Sequence, residues 1–221
     1  MPQLAVIFDM DGVLVDSYHA HFESWKQLYG ELGVEYTETA FAADFGRTSR
    51  DIVRRTLGTD FADERVGELD RRKEAIYRDL IRENFPAMDG AGELIQALAE
   101  DGFRLAIGSS GPPENVALVV EKLAGGRQFD VAVTGADVTR GKPDPQVFLI
   151  AAERLGVPVA SCAVVEDAVH GITAAQRAGM AAIALTGTLE RDELAAADAV
   201  VDSLRQLSPE RIRALVASRA T

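Results

Sequence analysis

Six short, continuous apolar runs punctuate the chain: Leu4–Phe8, Phe103–Ile107, Val131–Thr134, Cys162–Val165, Ala181–Leu185 and Ala199–Val201. They are rich in Val, Ile and Ala and show no polar alternation. Such runs predict strands buried on both faces, as in a parallel sheet. The stretches between them carry helix punctuation. Asp144-Pro145 reads as an N-cap followed by proline in the first turn, and Gly156 closes that helix. Gly179 closes a helix that begins near Ala168, and Gly102 ends one running from about Gly90 to Asp101. Strands alternating with helices predict an α/β domain built on a doubly wound parallel sheet, Rossmann-like in construction.

Residues 17–86 break this pattern. No buried-strand run occurs there. His19–Leu32, Arg50–Leu57 and Asp63–Asn84 instead set charges on one side and Phe, Leu and Ile on the other, as amphipathic helices do. A small α-helical insert between the first strand and the rest of the sheet accounts for this. It divides the chain into an α/β core of residues 1–16 and 87–221 and a helical domain of residues 17–86, with Pro86 in the second connection.

Composition narrows the classes of function. With 221 residues, 47% of them hydrophobic, the chain can bury a substantial core, and a net charge of −12 repels nucleic acid and anionic lipid alike. A small anionic substrate would need a metal ion or a focused lysine to offset that field. The lone Cys162 excludes an internal disulfide and reads as a buried structural residue. No basic leader and no apolar run of about 20 residues occurs, so a cytoplasmic protein, monomeric or weakly dimeric, is expected.

Four strand ends carry candidate chemistry. In Phe8-Asp9-Met10-Asp11-Gly12, side chains two apart on an extended segment share a face, so Asp9 and Asp11 project together where open α/β sheets bind ligands. Two such carboxylates repel and call for a cation or a shared proton. Gly12 permits a sharp turn and lets backbone N–H groups approach an anion, although Asp-Gly also serves as a plain turn. Ile107-Gly108-Ser109-Ser110-Gly111 offers hydroxyls and amides to phosphate oxygens, or simple helix capping. Gly141-Lys142-Pro143-Asp144-Pro145 holds Lys142 in a restricted loop, or leaves it as a solvated surface lysine. Val164-Val165-Glu166-Asp167-Ala168 ends a strand in two acids suited to Mg²⁺, with Asp167 as a helix N-cap the alternative.

In order and spacing these four pieces resemble the haloacid dehalogenase superfamily, in its phosphatase and phosphomutase branch. The matching residues are Asp9-Met10-Asp11-Gly12-Val13, Ser109, Gly141-Lys142-Pro143 and Glu166-Asp167. The resemblance spans essentially the whole chain, the helical insert standing as the family's cap. It implies that Asp9 attacks phosphorus to form an aspartyl-phosphate. Asp11 would protonate the leaving oxygen and then deprotonate the incoming nucleophile. Ser109 and Lys142, with Ser110 and Gly12 beside them, would hold the transferring phosphoryl group. Mg²⁺ would be bound by Asp9, Asp167, the main-chain carbonyl of Asp11 and, directly or through water, Glu166. The dehalogenase members lack a carboxylate two residues after the nucleophile, so Asp11 points away from them.

Within the insert, His21-Phe22-Glu23-Ser24-Trp25-Lys26 and Arg72-Lys73 with Tyr77 resemble the β-phosphoglucomutase-like cap, and Gly46-Arg47-Thr48-Ser49-Arg50-Asp51 resembles its substrate loop. The resemblance implies cap or substrate roles for His21, Trp25, Gly46, Arg47, Arg50 and Lys73. Two departures fall where a second phosphate would bind. Ser49 stands at the expected arginine, and Gly111-Pro112-Pro113 replaces polar and basic residues. A Mg²⁺-dependent phosphatase acting on a small phosphorylated metabolite, a sugar phosphate, is therefore expected, with a phosphosugar mutase as the alternative.

Overall fold

Each apolar run forms a strand in the computed structural model, which describes residues 3–44, 47–58, 62–124 and 128–219. The strands are β1 (Ala5–Phe8), β2 (Arg104–Gly108), β3 (Val131–Val133), β4 (Cys162–Glu166), β5 (Ala181–Leu185) and β6 (Ala199–Val201). All pair in parallel, in the order β3-β2-β1-β4-β5-β6. Every residue of the central strands β1 and β4 is buried, which is why those runs carry no polar alternation. Strand order reverses between β1 and β4, the position at which open α/β sheets form a ligand crevice beyond their carboxyl ends.

The helices are α1 (Tyr18–Glu31), α2 (Glu38–Asp44), α3 (Ser49–Leu57), α4 (Asp63–Glu83), α5 (Ala91–Glu100), α6 (Pro113–Ala124), α7 (Gln146–Leu155), α8 (Val169–Arg177) and α9 (Pro209–Arg219). The chain divides into two compact units, one of Met1–Asp16 with Pro86–Thr221 and one of Ser17–Phe85. In the first, Phe148, Ala151 and Leu155 of α7 and Ile172 and Ala175 of α8 cover one face of the sheet. In the second, α1 packs on α4 around Phe22, Trp25, Leu28, Leu69 and Ile76. No described helix is long and apolar enough to cross a membrane.

Three local readings are corrected. The β1 strand stops at Phe8, so Asp9 and Asp11 are not two positions of one extended segment. The chain instead coils tightly, with the Met10 carbonyl accepting from Leu14 N–H at 2.8 Å and Val15 N–H at 3.1 Å. The N-cap position of α7 falls on Pro145, although the Asp144 carboxylate still accepts from Gln146 N–H at 3.0 Å. Helix α2 was not foreseen, because only Phe41 and Asp44 of its seven residues are buried and no apolar period develops.

Candidate active site

Side chains at the carboxyl ends of β1 and β4 meet because the two strands are neighbours in register, Phe8 beside Val165. Asp9 donates its N–H to the Val165 carbonyl at 2.9 Å, fixing its backbone. Lys142, from the loop after β3, reaches both strand ends. Its Nζ donates to Asp9 Oδ1 at 2.5 Å and to Glu166 Oε1 at 2.7 Å, and lies 5.0 Å from the centre of the Phe148 ring. Lys142 is thus a largely buried, ion-paired ammonium and not a solvated surface group. The other oxygen of Glu166 accepts from the N–H groups of Asp167 and Ala168, both at 2.9 Å. A Cβ on Gly171 would fall 1.8 Å from Glu166 Oε1, so only glycine lets α8 sit against this carboxylate.

Asp167 is buried, and the N-cap position of α8 belongs to Ala168, which disposes of Asp167 as a plain cap. Its Oδ2 accepts from the Thr188 hydroxyl. Gly12 has φ of +74°, and a Cβ there would lie 2.0 Å from Asp167 Oδ2. The conformation and the close approach both require glycine. Asp11 is half-buried, and its charge acts on Asp9. Ser109 is buried beyond β2 with its N–H on the Val133 carbonyl at 3.0 Å. Its Oγ accepts from Gly111 N–H at 3.0 Å, a local turn and not a cap of α6. Ser110 is exposed next to it.

One ammonium faces more than one acid. Burial pushes the Asp9 carboxyl up to about 7, with Lys142 opposing and Glu166 and Asp11 reinforcing. Burial and the charges of Glu166 and Asp9 push Asp167 up to about 8. Burial disfavours the Lys142 ammonium, but Asp9 and Glu166 outweigh it and hold its pKa above the usual lysine value. Asp9, Glu166 and Asp167 each offer an oxygen within 4.8 Å of the others. An all-oxygen, buried and under-neutralised donor set fits a hard divalent cation. The Asp11 side chain is not part of this trio.

The helical unit has its own polar cluster. Lys73 is 3% exposed; its Nζ lies 2.8 Å from both Glu74 Oε1 and His21 Nδ1, and sits over the Trp25 and Tyr77 rings at 5.5 and 5.4 Å. His21 stacks on Tyr77 at 4.2 Å. Trp25 is buried, so it packs and faces Lys73 and does not present a surface. Arg47 and Arg50 are exposed and pair with Asp44 and Asp63, at 3.7 and 3.6 Å. Gly46 lies outside the described residues.

The model of the haloacid dehalogenase-like hydrolases matches residues 4–179, which include the ends of β1, β2, β3 and β4 and Lys142. The chain belongs to that family. It is an enzyme of the phosphoric monoester hydrolase class, and its core is the family's Rossmann-like sheet with an inserted helical cap. Among curated proteins it is 34% identical over 204 residues to the validoxylamine A 7′-phosphate phosphatase of Streptomyces hygroscopicus subsp. limoneus, covering 91% of this chain and 94% of that one. It is 31% identical over 213 residues to the beta-phosphoglucomutase of Bacillus subtilis, covering 93% and 92%. Among solved structures, beta-phosphoglucomutase from Clostridium difficile superposes with a TM-score of 0.84 at 25% identity over 99% of both chains. Sequence reasoning missed Thr188 and the burial of Glu74, neither of which belongs to a motif.

Proposed function

We propose that this hydrolase is a cytoplasmic, Mg²⁺-dependent phosphatase that removes phosphate from a small phosphorylated metabolite, a sugar phosphate, through an aspartyl-phosphate on Asp9. The observation that carries this reading is the Asp9 carboxylate, pinned by Lys142 beside Glu166 and Asp167 at the point where strand order reverses. The similarity to validoxylamine A 7′-phosphate phosphatase supports a small phosphorylated substrate.

Asp9, Asp167, the Asp11 carbonyl and Glu166, directly or through water, would hold Mg²⁺. When bound, it neutralises the clustered carboxylates and the phosphoryl oxygens. The chain's own residues do the rest. An Asp9 carboxylate oxygen forms a bond to phosphorus as the ester P–O bond breaks, and Asp11 gives its proton to the departing alkoxide. Water then attacks the same phosphorus, losing its proton to Asp11, and the Asp9–phosphorus bond breaks to release inorganic phosphate. Lys142 supplies a fixed ammonium to the phosphoryl oxygens, and Ser109 a hydroxyl that can rotate toward them. Splitting one displacement into two lowers each barrier.

The test is phosphate release over a panel of sugar phosphates with and without Mg²⁺. Wild type releases phosphate only with Mg²⁺, and Asp9→Asn loses about 10⁴-fold or more in kcat. Undiminished turnover in Asp9→Asn overturns the mechanism.

A mutase reading is favoured by one observation, the 2.8 Å contact of Lys73 with His21 inside the cap, together with the similarity to beta-phosphoglucomutase. Under it, β-glucose 1-phosphate becomes glucose 6-phosphate in a coupled assay. Free phosphate as the sole product excludes it.

A further inference from the structure

We propose that Thr188 is a positioning residue that holds the Asp167 carboxylate in the orientation in which it takes a divalent cation. The inference rests on the reading of Asp9, Glu166 and Asp167 as a cation site.

Thr188 lies beyond β5, on a segment that carries no motif. Its side chain is exposed and gains little from packing, yet its hydroxyl is aimed at a buried carboxylate oxygen, Asp167 Oδ2. The segment around it is anchored on both sides. Thr186 N–H donates to the Val201 carbonyl at 2.9 Å, and the Thr186 hydroxyl donates to Asp202 Oδ1 at 3.0 Å. On the other side the next residue, Leu189, packs partly buried against the core of the sheet domain. Gly187, with φ of +131°, makes the turn that aims Thr188 between these anchors.

The same oxygen is walled from another strand end. A Cβ on Gly12 would lie 2.0 Å from Asp167 Oδ2 and 2.9 Å from Thr188 Oγ1. Loops after β1, β4 and β5 therefore converge on a single carboxylate oxygen. The torsion that spins an aspartate carboxyl is soft. A hydroxyl bond on one oxygen and backbone against it stop that rotation, so the group meets a cation already oriented. Removing a partner that orients a metal ligand typically costs about 10- to 100-fold in metal affinity.

The test is calorimetric titration of the substrate-free protein with MgCl₂, for wild type, Thr188→Val, Thr188→Ala, Thr188→Ser and Asp167→Asn. Wild type binds, Asp167→Asn loses binding, and Thr188→Val and Thr188→Ala bind about tenfold more weakly. Thr188→Ser, which keeps the hydroxyl, restores wild-type affinity. Circular dichroism in chelator is the same for wild type and Thr188→Ala, so the lost affinity is not a loss of fold. Undiminished affinity in Thr188→Val and Thr188→Ala overturns the inference alone, as does a Thr188→Ser variant as weak as Thr188→Ala. No Mg²⁺ binding by wild type, or full binding by Asp167→Asn, overturns the cation reading and the inference with it.

Discussion

Two lysine ammonium groups are largely withdrawn from solvent, Lys142 in the sheet unit and Lys73 in the helical unit, and they differ in charge balance. Lys73 meets one carboxylate, Glu74, with His21 and two aromatic rings completing its surroundings. There one ammonium is bonded to one carboxylate. Lys142 bonds Asp9 and Glu166, with Asp167 in the same trio and the charge of Asp11 reaching Asp9. Negative charge is in surplus there, and the fold holds it out of water. A buried pair that balances itself serves the structure. A buried surplus destabilises the empty protein and favours a cationic guest, which is the property of a site and not of a core.

The contrast predicts opposite signs for similar substitutions. Glu74→Gln strands the Lys73 ammonium and lowers stability by about 3 kcal/mol in denaturant melts, and a Lys73→Met, Glu74→Leu double substitution recovers most of that loss. Asp167→Asn does the reverse. Chelator-treated at pH 8, it is more stable than wild type by about 2 kcal/mol, because it removes a carboxylate that the fold holds at a disadvantage, while Mg²⁺-dependent turnover is lost. Destabilisation of the chelated protein by Asp167→Asn would erase the distinction between the two clusters.

The pH dependence sharpens the same point. Asp9 and Asp167 are raised from an ordinary 3.8 to about 7 and about 8. Between those limits the folded protein keeps protons that the unfolded chain has released, so stability without metal falls as pH rises from about 4 to 8. Below about pH 4 both states are protonated and the contribution is complete. Cation binding displaces those protons, so the rise in melting temperature on adding Mg²⁺ grows across the same window. A Mg²⁺ shift independent of pH contradicts the raised carboxyls. The smallest effect belongs to the exposed pairs: Arg50→Ala, which removes a 3.6 Å surface contact with Asp63, changes stability by about 0.5 kcal/mol or less.

Much of the sheet was legible because burial on both faces writes itself as unbroken apolar runs. Ala181–Leu185 and Ala199–Val201 match the strands residue for residue. Glycine marked several helix ends for the same local reason, as at Gly156, which adopts φ of +67°. Features that depend on which strands become neighbours were less legible. Thr188 stands 21 residues beyond Asp167, and only the pairing of β4 with β5 brings their loops together. The tight approach of Gly12 to Asp167 is of the same kind, since its spacing shows only a turn. Asp9 and Asp11 were paired by an extended-strand rule, whereas the chain coils at Met10. Short α2 stayed hidden because two buried residues cannot display a helical period.

The central claim, that Asp9 accepts the phosphoryl group, is tested most directly by trapping it. In Asp11→Asn, p-nitrophenyl phosphate with Mg²⁺ provides a leaving group that needs no proton, so the first displacement proceeds while the second lacks its base. After acid quench and proteolysis, mass spectrometry should find one phosphoryl group on the peptide containing Asp9, and none when Asp9→Asn is added. Phosphate release without any phosphoryl on that peptide, or a phosphoryl group carried on another residue, would contradict the account.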